Sequence, residues 1–158
     1  MPFFAESPMR QGPEIEHLDA DLRRSTLVAG GFMGADPRSV TDVIDADAGE
    51  LSRLGVTARE LASRMREVTN KAARAQGVWT EVDPEHEAQV DETRGALPCP
   101  WRHRGRYFKR ITTIRHKGSD DILRWSDLSL HMIDAHGFFE GKGSMFRVEP
   151  AALVQMLY

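Results

Sequence analysis

The single cysteine and three of the five histidines in the second half of the chain carry side chains that could bind a transition metal or act as nucleophile and base. Cys99 and His103 have three residues between them, and His131 and His136 have four. Thiolate sulfur and imidazole nitrogen are preferred ligands of zinc. A Cys–His pair can also form an activated nucleophile. The sequence therefore offers these four residues as a zinc site or as a Cys–His catalytic centre.

The spacing of these residues matches no standard zinc motif. His131 and His136 are five positions apart, so on one helix they lie about 140° apart around its axis. That differs from the i, i+4 pair of a zinc protease, and a shared metal would require the helix to end between them. No local spacing decides whether Cys99 approaches either histidine. We therefore expect no bound cofactor, with zinc as the alternative.

The segment 131–147, HMIDAHGFFEGKGSMFR, ends in a Gly-rich loop with two cationic side chains. It is not a phosphate-binding P-loop, because glycine follows its lysine and the predicted helix precedes the loop instead of following it. The first interpretation is a helix that ends at Gly137 and turns. The second is a small-anion or partner site. The residues of that second site are His131, His136, Lys142, Ser144 and Arg147.

Residues 102–117 contain seven Lys or Arg and no acid. Aromatic residues interleave with these charges, as in platforms for single-stranded nucleic acid. Acidic residues are frequent in 81–92, however, and pairing of the two segments across a sheet would neutralise the basic strand. The net charge of −3 favours that pairing. The nucleic-acid alternative uses Arg102, Arg104, Arg106, Tyr107, Lys109 and Arg110.

Residues 50–65, ELSRLGVTARELASRM, resemble the helix-turn-helix of DNA-binding proteins. The resemblance lies in the central Gly55 followed by valine and in the second helix capped by Thr57, and it implies a second helix that enters the major groove. The segment departs from the motif at Leu51, where a small residue is preferred, and at Arg64, where an apolar residue normally packs inward. An ordinary corner between two helices has the same caps.

Periodicity and capping predict the elements that must position these side chains. Apolar residues at helical spacing predict five helices, at 14–24, 39–54, 57–76, 126–136 and 150–157. Alternation and turn residues predict four strands, at 78–83, 86–92, 107–115 and 122–125. The prolines of ALPCPW, 96–101, predict an extended connector. The expected fold class is α+β, with a helical N-terminal half and a roughly four-stranded antiparallel sheet that has helices packed on one face.

Length and composition limit the class of protein. The 158 residues, 41% of them hydrophobic, predict one domain with an extended arm at 1–13, a helical part at 14–77 and a sheet-plus-helix part at 78–158. A single cysteine excludes an intrachain disulfide. No signal-peptide pattern is present, and the least polar run, 27–35, is too short to span a bilayer. We therefore expect a cytoplasmic protein without a membrane partner.

None of these patterns specifies an activity, a ligand or an oligomeric state. The leading hypothesis is a non-enzymatic binding or regulatory protein that contacts a protein partner through 126–147 or self-associates through its arm. The first alternative is a metal-dependent or Cys–His enzyme built on the cysteine and the histidines. The second is nucleic-acid binding through 102–117 or 50–65. Whether the protein is an enzyme stays open at this level.

Overall fold

The structure is a computed structural model that describes residues 13–25, 27, 30–102 and 104–158. The elements in chain order are α1 (Pro13–Arg24), α2 (Val40–Arg53), α3 (Ala58–Ala73), β1 (Thr80–Asp83), β2 (His86–Pro98), β3 (Arg106–His116), β4 (Ile122–Ser126), α4 (Asp127–His136) and α5 (Pro150–Leu157). This order confirms the α+β class with a helical N-terminal half. The predicted arm, apart from its last residue, and His103 lie outside the described residues.

Local capping fixes the ends of α2 and α3. The Ser39 hydroxyl accepts a hydrogen bond from the Asp42 amide at 3.1 Å. Thr57 and Glu60 form the predicted reciprocal capping box, with both side-chain-to-amide distances at 3.1 Å. Gly55, at φ 75°, makes the turn between the two helices. Within the described part of the chain, no helix is both long and apolar enough to cross a membrane.

The four strands form one antiparallel sheet in the order β1-β2-β3-β4. The prediction that β2 stops near residue 92 is wrong, because the strand continues to Pro98 after a bulge between Thr93 and Ala96. The extended conformation that proline imposes on its predecessor suits a strand end as well as a connector. Here Leu97 pairs with Tyr107 on β3. Cys99 therefore lies directly after the end of β2, where that strand is still paired with β3.

Helix α4 lies between two hydrophobic clusters. Leu130 and Ile133 belong to the cluster between the sheet, α3 and α5. Leu128 and Met132 belong to the cluster that also contains Cys99 and side chains of α1 and α2. Because apolar residues cover α4 on more than one side, its position is fixed by packing rather than by one amphipathic face.

The Gly-rich joint after α1 packs against the loop after α4. The Gly141 amide donates to the Phe32 carbonyl at 2.9 Å. A Cβ at Gly141 would lie 2.3 Å from the Met33 carbonyl oxygen, and one at Gly34 would lie 2.4 Å from the Ser144 nitrogen. Both glycines are therefore required by close backbone approach. This contact holds the loop after α4 in one conformation.

Candidate metal centre

Cys99, His131 and His136 each place one ligand atom within 4.8 Å of the other two. Cys99 is buried and both histidines are half-buried. In the part of the chain that the structure describes, this is the one group of three or more Cys, His, Asp or Glu side chains with that arrangement. We call it the thiol–imidazole cluster. It answers the question that sequence spacing left open, since a cysteine after β2 and two histidines on α4 do converge.

A tight turn presents the cysteine. The Arg102 amide donates to the Cys99 carbonyl at 2.9 Å, and Pro100 occupies the second position of this β-turn, where its fixed φ is favourable. Burial raises the pKa of the Cys99 thiol, and a hydrogen bond from the Trp101 backbone amide opposes that shift. The turn thus supplies a backbone donor to the sulfur, which favours its anionic form.

The two histidines approach each other although α4 includes both of them. The helix ends after His136 rather than between the histidines, and Gly137 follows at φ 64°. Their ring centroids are nevertheless 5.6 Å apart, with the ring planes perpendicular. Helical side chains tilt toward the N-terminus, so the ring of His136 reaches back along the preceding turn toward His131. The prediction that the two histidines could share a metal only if the helix ended between them used the angle around the helix axis. It took account neither of this tilt nor of the length of the side chains.

Aromatic side chains hold both imidazole rings. Trp101 stacks on His136 with ring centroids 4.1 Å apart and an interplanar angle of 7°. Tyr107 stacks on His131 at 4.1 Å and 20°. Phe138 contacts Trp101 edge-on, with ring centroids 5.4 Å apart. Sequence reasoning missed these roles of Trp101 and Tyr107, although both lie within eight positions of Cys99. The stacking restricts the direction in which each ring nitrogen points.

The distances suit ligands of one ion. The Cys99 sulfur and His136 Nε2 are 3.6 Å apart and form a hydrogen bond in this structure. A tetrahedral zinc with bonds of ~2.3 Å to sulfur and ~2.0 Å to nitrogen places those two atoms about 3.5 Å apart. The other two separations, which both involve His131, are no longer than 4.8 Å. One thiolate with two neutral imidazoles is a ligand set that suits zinc.

The remaining residues of the predicted anion or partner site lie elsewhere. The Ser144 hydroxyl donates to the buried carboxylate of Glu140. Arg147, with its side chain 7% exposed, binds Asp47 at 2.9 Å. Lys142 is exposed. The structure therefore divides the five residues among three places: the two histidines lie together, Ser144 and Arg147 both contact Glu140, and Lys142 lies apart.

Glu140 is the centre of a second polar group that the sequence did not indicate. Its side chain is 1% exposed, and it accepts a hydrogen bond from Ser129 at 3.1 Å as well as the one from Ser144. Burial raises its pKa to about 7, against the opposing effects of the two hydroxyls and of Arg147. We call Glu140, Ser129, Ser144, Arg147 and Asp47 the Glu140 network. Burial of this glutamate depends on the loop contact described above, which leaves no local signal in the sequence.

Acidic partners neutralise part of the basic strand. Arg115 on β3 pairs with Glu87 on β2 at 2.7 Å, and these two residues are opposite in the register. Lys117 pairs with Glu81 at 2.6 Å. The first is a cross-strand contact of the kind that the distribution of charges favoured, and the second joins the turn after β3 to β1.

The six residues of the nucleic-acid alternative differ in their exposure and in their contacts. Arg102 pairs with Asp21 at 2.6 Å, and Arg110 pairs with Asp127 at 2.8 Å. Tyr107 is half-buried against His131. The remaining three, Arg104, Arg106 and Lys109, are exposed.

The corner between α2 and α3 packs within the protein. Arg59 and Arg66 of α3 both pair with Asp134 of α4, at 3.7 Å and 3.3 Å. The guanidinium of Arg64 lies over the Tyr158 ring, 4.5 Å from its centre. Three arginines of the helix that would enter a DNA groove are therefore in contact with neighbouring elements.

The thiol–imidazole cluster is the arrangement of described side chains with the most specific chemistry. It combines a sulfur ligand, two nitrogen ligands and aromatic walls in a half-buried position. No family model matches the chain, and no curated protein or solved structure is detectably similar to it. The interpretation of the cluster therefore depends on its own geometry.

Proposed function

We propose that this protein binds one transition-metal ion of the zinc class through the Cys99 sulfur and a ring nitrogen of each of His131 and His136. The observation that carries the proposal is the 3.6 Å separation of the Cys99 sulfur and His136 Nε2 within a cluster of three such ligands. That separation is close to the distance of about 3.5 Å expected for two ligands of one tetrahedral ion.

The surroundings of the cluster support the same function. Cys99 is 2% exposed, and a thiolate buried to that extent needs a compensating positive charge, which a divalent cation supplies. The stacked rings of Trp101 and Tyr107 hold the histidines in place before any ion arrives. Such support around the ligands raises metal affinity because fewer side-chain rotations are lost on binding.

The Cys–His nucleophile uses the same two atoms but draws less support. A nucleophilic thiolate must reach a substrate atom, and reactive cysteines are accordingly partly exposed. The buried position of Cys99 suits a metal ligand better. The partner-binding hypothesis for 126–147 also draws less support, because Ser144 and Arg147 are bound internally.

Native mass spectrometry of protein purified without chelator tests the proposal. We expect one zinc-class ion per chain, removed by a strong chelator and restored by added zinc. Cys99→Ala and His131→Ala should each lower the zinc affinity by at least about a hundredfold, measured by competition with a chromophoric chelator. The control is His17→Ala, which removes an exposed histidine of α1 and should leave the affinity unchanged.

Circular dichroism of each variant establishes that it is folded before its affinity is compared. A folded wild-type protein that neither carries nor takes up zinc would refute the proposal. Equal zinc affinity in the wild type and in Cys99→Ala would refute it as well, because the ion would then be bound elsewhere.

A further inference from the structure

A cavity of about 530 Å³ adjoins the thiol–imidazole cluster, and Cys99 forms part of its wall. The two prolines that flank Cys99 and the ring of Phe32 form other parts of that wall, and Arg24 and Arg102 line it as well. Pockets of this volume hold small molecules. A small molecule in the cavity would therefore lie next to one of the proposed metal ligands.

The charged side chains of the cavity are unbalanced. Arg102 and Arg24 both pair with Asp21, at 2.6 Å and 3.7 Å. Two guanidinium groups thus share one carboxylate, which leaves one positive charge in excess. The guanidinium side chain matches the geometry of carboxylate and phosphate groups. The cavity therefore favours an anionic occupant.

The cysteine and Arg102 belong to the same turn. The hydrogen bond from the Arg102 amide to the Cys99 carbonyl, at 2.9 Å, closes that turn. Arg102 has φ 64°, in the left-handed region that residues other than glycine seldom adopt. Strained backbone of this kind is common beside binding sites. The turn thus holds the backbone of Arg102 close to the backbone of Cys99.

Three protein ligands would leave one coordination position of the ion for a small molecule in the cavity. The described residues supply three ligands, and zinc sites with three protein ligands keep a fourth position for an exogenous ligand. Building on the proposed function, we infer that this fourth position faces the cavity beside Cys99. It takes the carboxylate or phosphate oxygen of a small anionic molecule, which Arg102 binds at the same time.

Cobalt-substituted protein provides the test, because the visible absorption bands of Co²⁺ change with its ligands. The cobalt protein is titrated with acetate and, separately, with inorganic phosphate. We expect a saturable change of the visible bands with at least one of these anions, while the sulfur-to-cobalt band persists. The anion that gives the stronger response identifies the preferred group, carboxylate for acetate or phosphate for inorganic phosphate.

Two matched variants assign the anion contact. Arg102→Gln should weaken the anion affinity about tenfold and leave the cobalt affinity unchanged. Arg53→Gln is the control, since Arg53 is similarly exposed and also pairs with one acidic residue, Glu50. It should leave the anion affinity at the wild-type value.

The outcomes separate this inference from the proposed function. If the protein takes up no cobalt or zinc, the metal proposal itself fails. If cobalt binds and neither anion changes its bands, or if Arg102→Gln has no effect on the anion affinity, the inference is overturned while the metal proposal stands. If His103→Ala is needed before an anion can bind, His103 is a fourth ligand, the site is closed and the inference is overturned.

Discussion

The thiol–imidazole cluster and the Glu140 network both border α4, but their side chains are held in different ways. In the network, carboxylate oxygens accept hydrogen bonds from hydroxyl and guanidinium groups. Ser129 donates to Glu140 at 3.1 Å, and Arg147 donates to Asp47 at 2.9 Å. In the cluster, aromatic rings stack on the imidazoles, and the Cys99 sulfur forms a long hydrogen bond of 3.6 Å with His136 Nε2. Groups that satisfy one another stabilise a fold. Under the proposed function, the three ligand groups that surround a common point in the cluster receive an ion.

Arg147→Met is the substitution that should affect the network most. It leaves the carboxylate of Asp47, with its side chain 7% exposed, without its guanidinium partner. We expect a loss of about 3–5 kcal/mol in the free energy of unfolding, because an unpaired buried charge is costly. Urea denaturation at neutral pH measures this loss. If the Glu140 network stabilises the fold and takes no part in ion binding, the folded variant keeps the zinc affinity of the wild type.

The control for this variant is Arg53→Met, whose partner Glu50 is on the surface and whose own side chain is 71% exposed. An exposed ion pair contributes about 0–1 kcal/mol. The double variant Arg147→Met with Asp47→Leu should recover part of the lost stability. Equal losses in Arg147→Met and Arg53→Met would contradict the structural role of the network.

Glu140→Gln should change how stability depends on pH. The pKa of Glu140, about 7 in the folded protein, lies above its ordinary value of 4.5. Between these pH values the folded state holds a proton that the unfolded chain has released. The free energy of unfolding therefore falls as the pH rises from about 4.5 to about 7 and is level above. The shift corresponds to roughly 3 kcal/mol.

The quantity to compare is the stability difference between the wild type and Glu140→Gln, measured by denaturation from pH 4.5 to pH 8. Glutamine has no charge to bury, so the variant should gain on the wild type as the pH rises. A pH-independent difference would show that Glu140 does not bind the proton that its burial implies.

Tyr107→Leu tests the thiol–imidazole cluster rather than the Glu140 network. It removes the ring that stacks on His131 at 4.1 Å and retains an apolar side chain. We expect zinc affinity to fall about tenfold, because support around a metal ligand contributes on that scale. Tyr107→Phe keeps the stacked ring and should bind zinc as the wild type does. Equal affinities of the leucine and phenylalanine variants would exclude a positioning role for the ring.

Lys142→Ala should have the smallest effect of these substitutions. The side chain is exposed and belongs to neither polar group, although its loop connects with both. We expect a change of less than about 0.5 kcal/mol in unfolding free energy and an unchanged zinc affinity. A larger change in affinity would mean that the loop takes part in the site.

Features determined by neighbouring residues were predictable from the sequence. The capping box of Thr57 and Glu60 needs only two residues three positions apart, and the structure has it. The helix end at Gly137 is local in the same sense. Cross-strand pairing of Arg115 with Glu87 was predictable from the distribution of charges, although its register was not.

Features that depend on distant contacts were not predictable. The continuation of β2 to Pro98 depends on its pairing with β3. The approach of Cys99 to His136, 37 positions away, depends on that pairing and on the docking of α4. The burial of Glu140 depends on a glycine joint more than a hundred residues earlier.

The pair formed by Asp47 and Arg147 has a consequence for folding during synthesis. The two residues are 100 positions apart. At roughly 5–20 residues per second, a ribosome makes Asp47 about 5–20 s before its partner. Throughout that interval the carboxylate is stabilised by water, which opposes the burial of α2. We expect α2 to form early as a hydrated helix and to dock only when nearly the whole described chain has emerged.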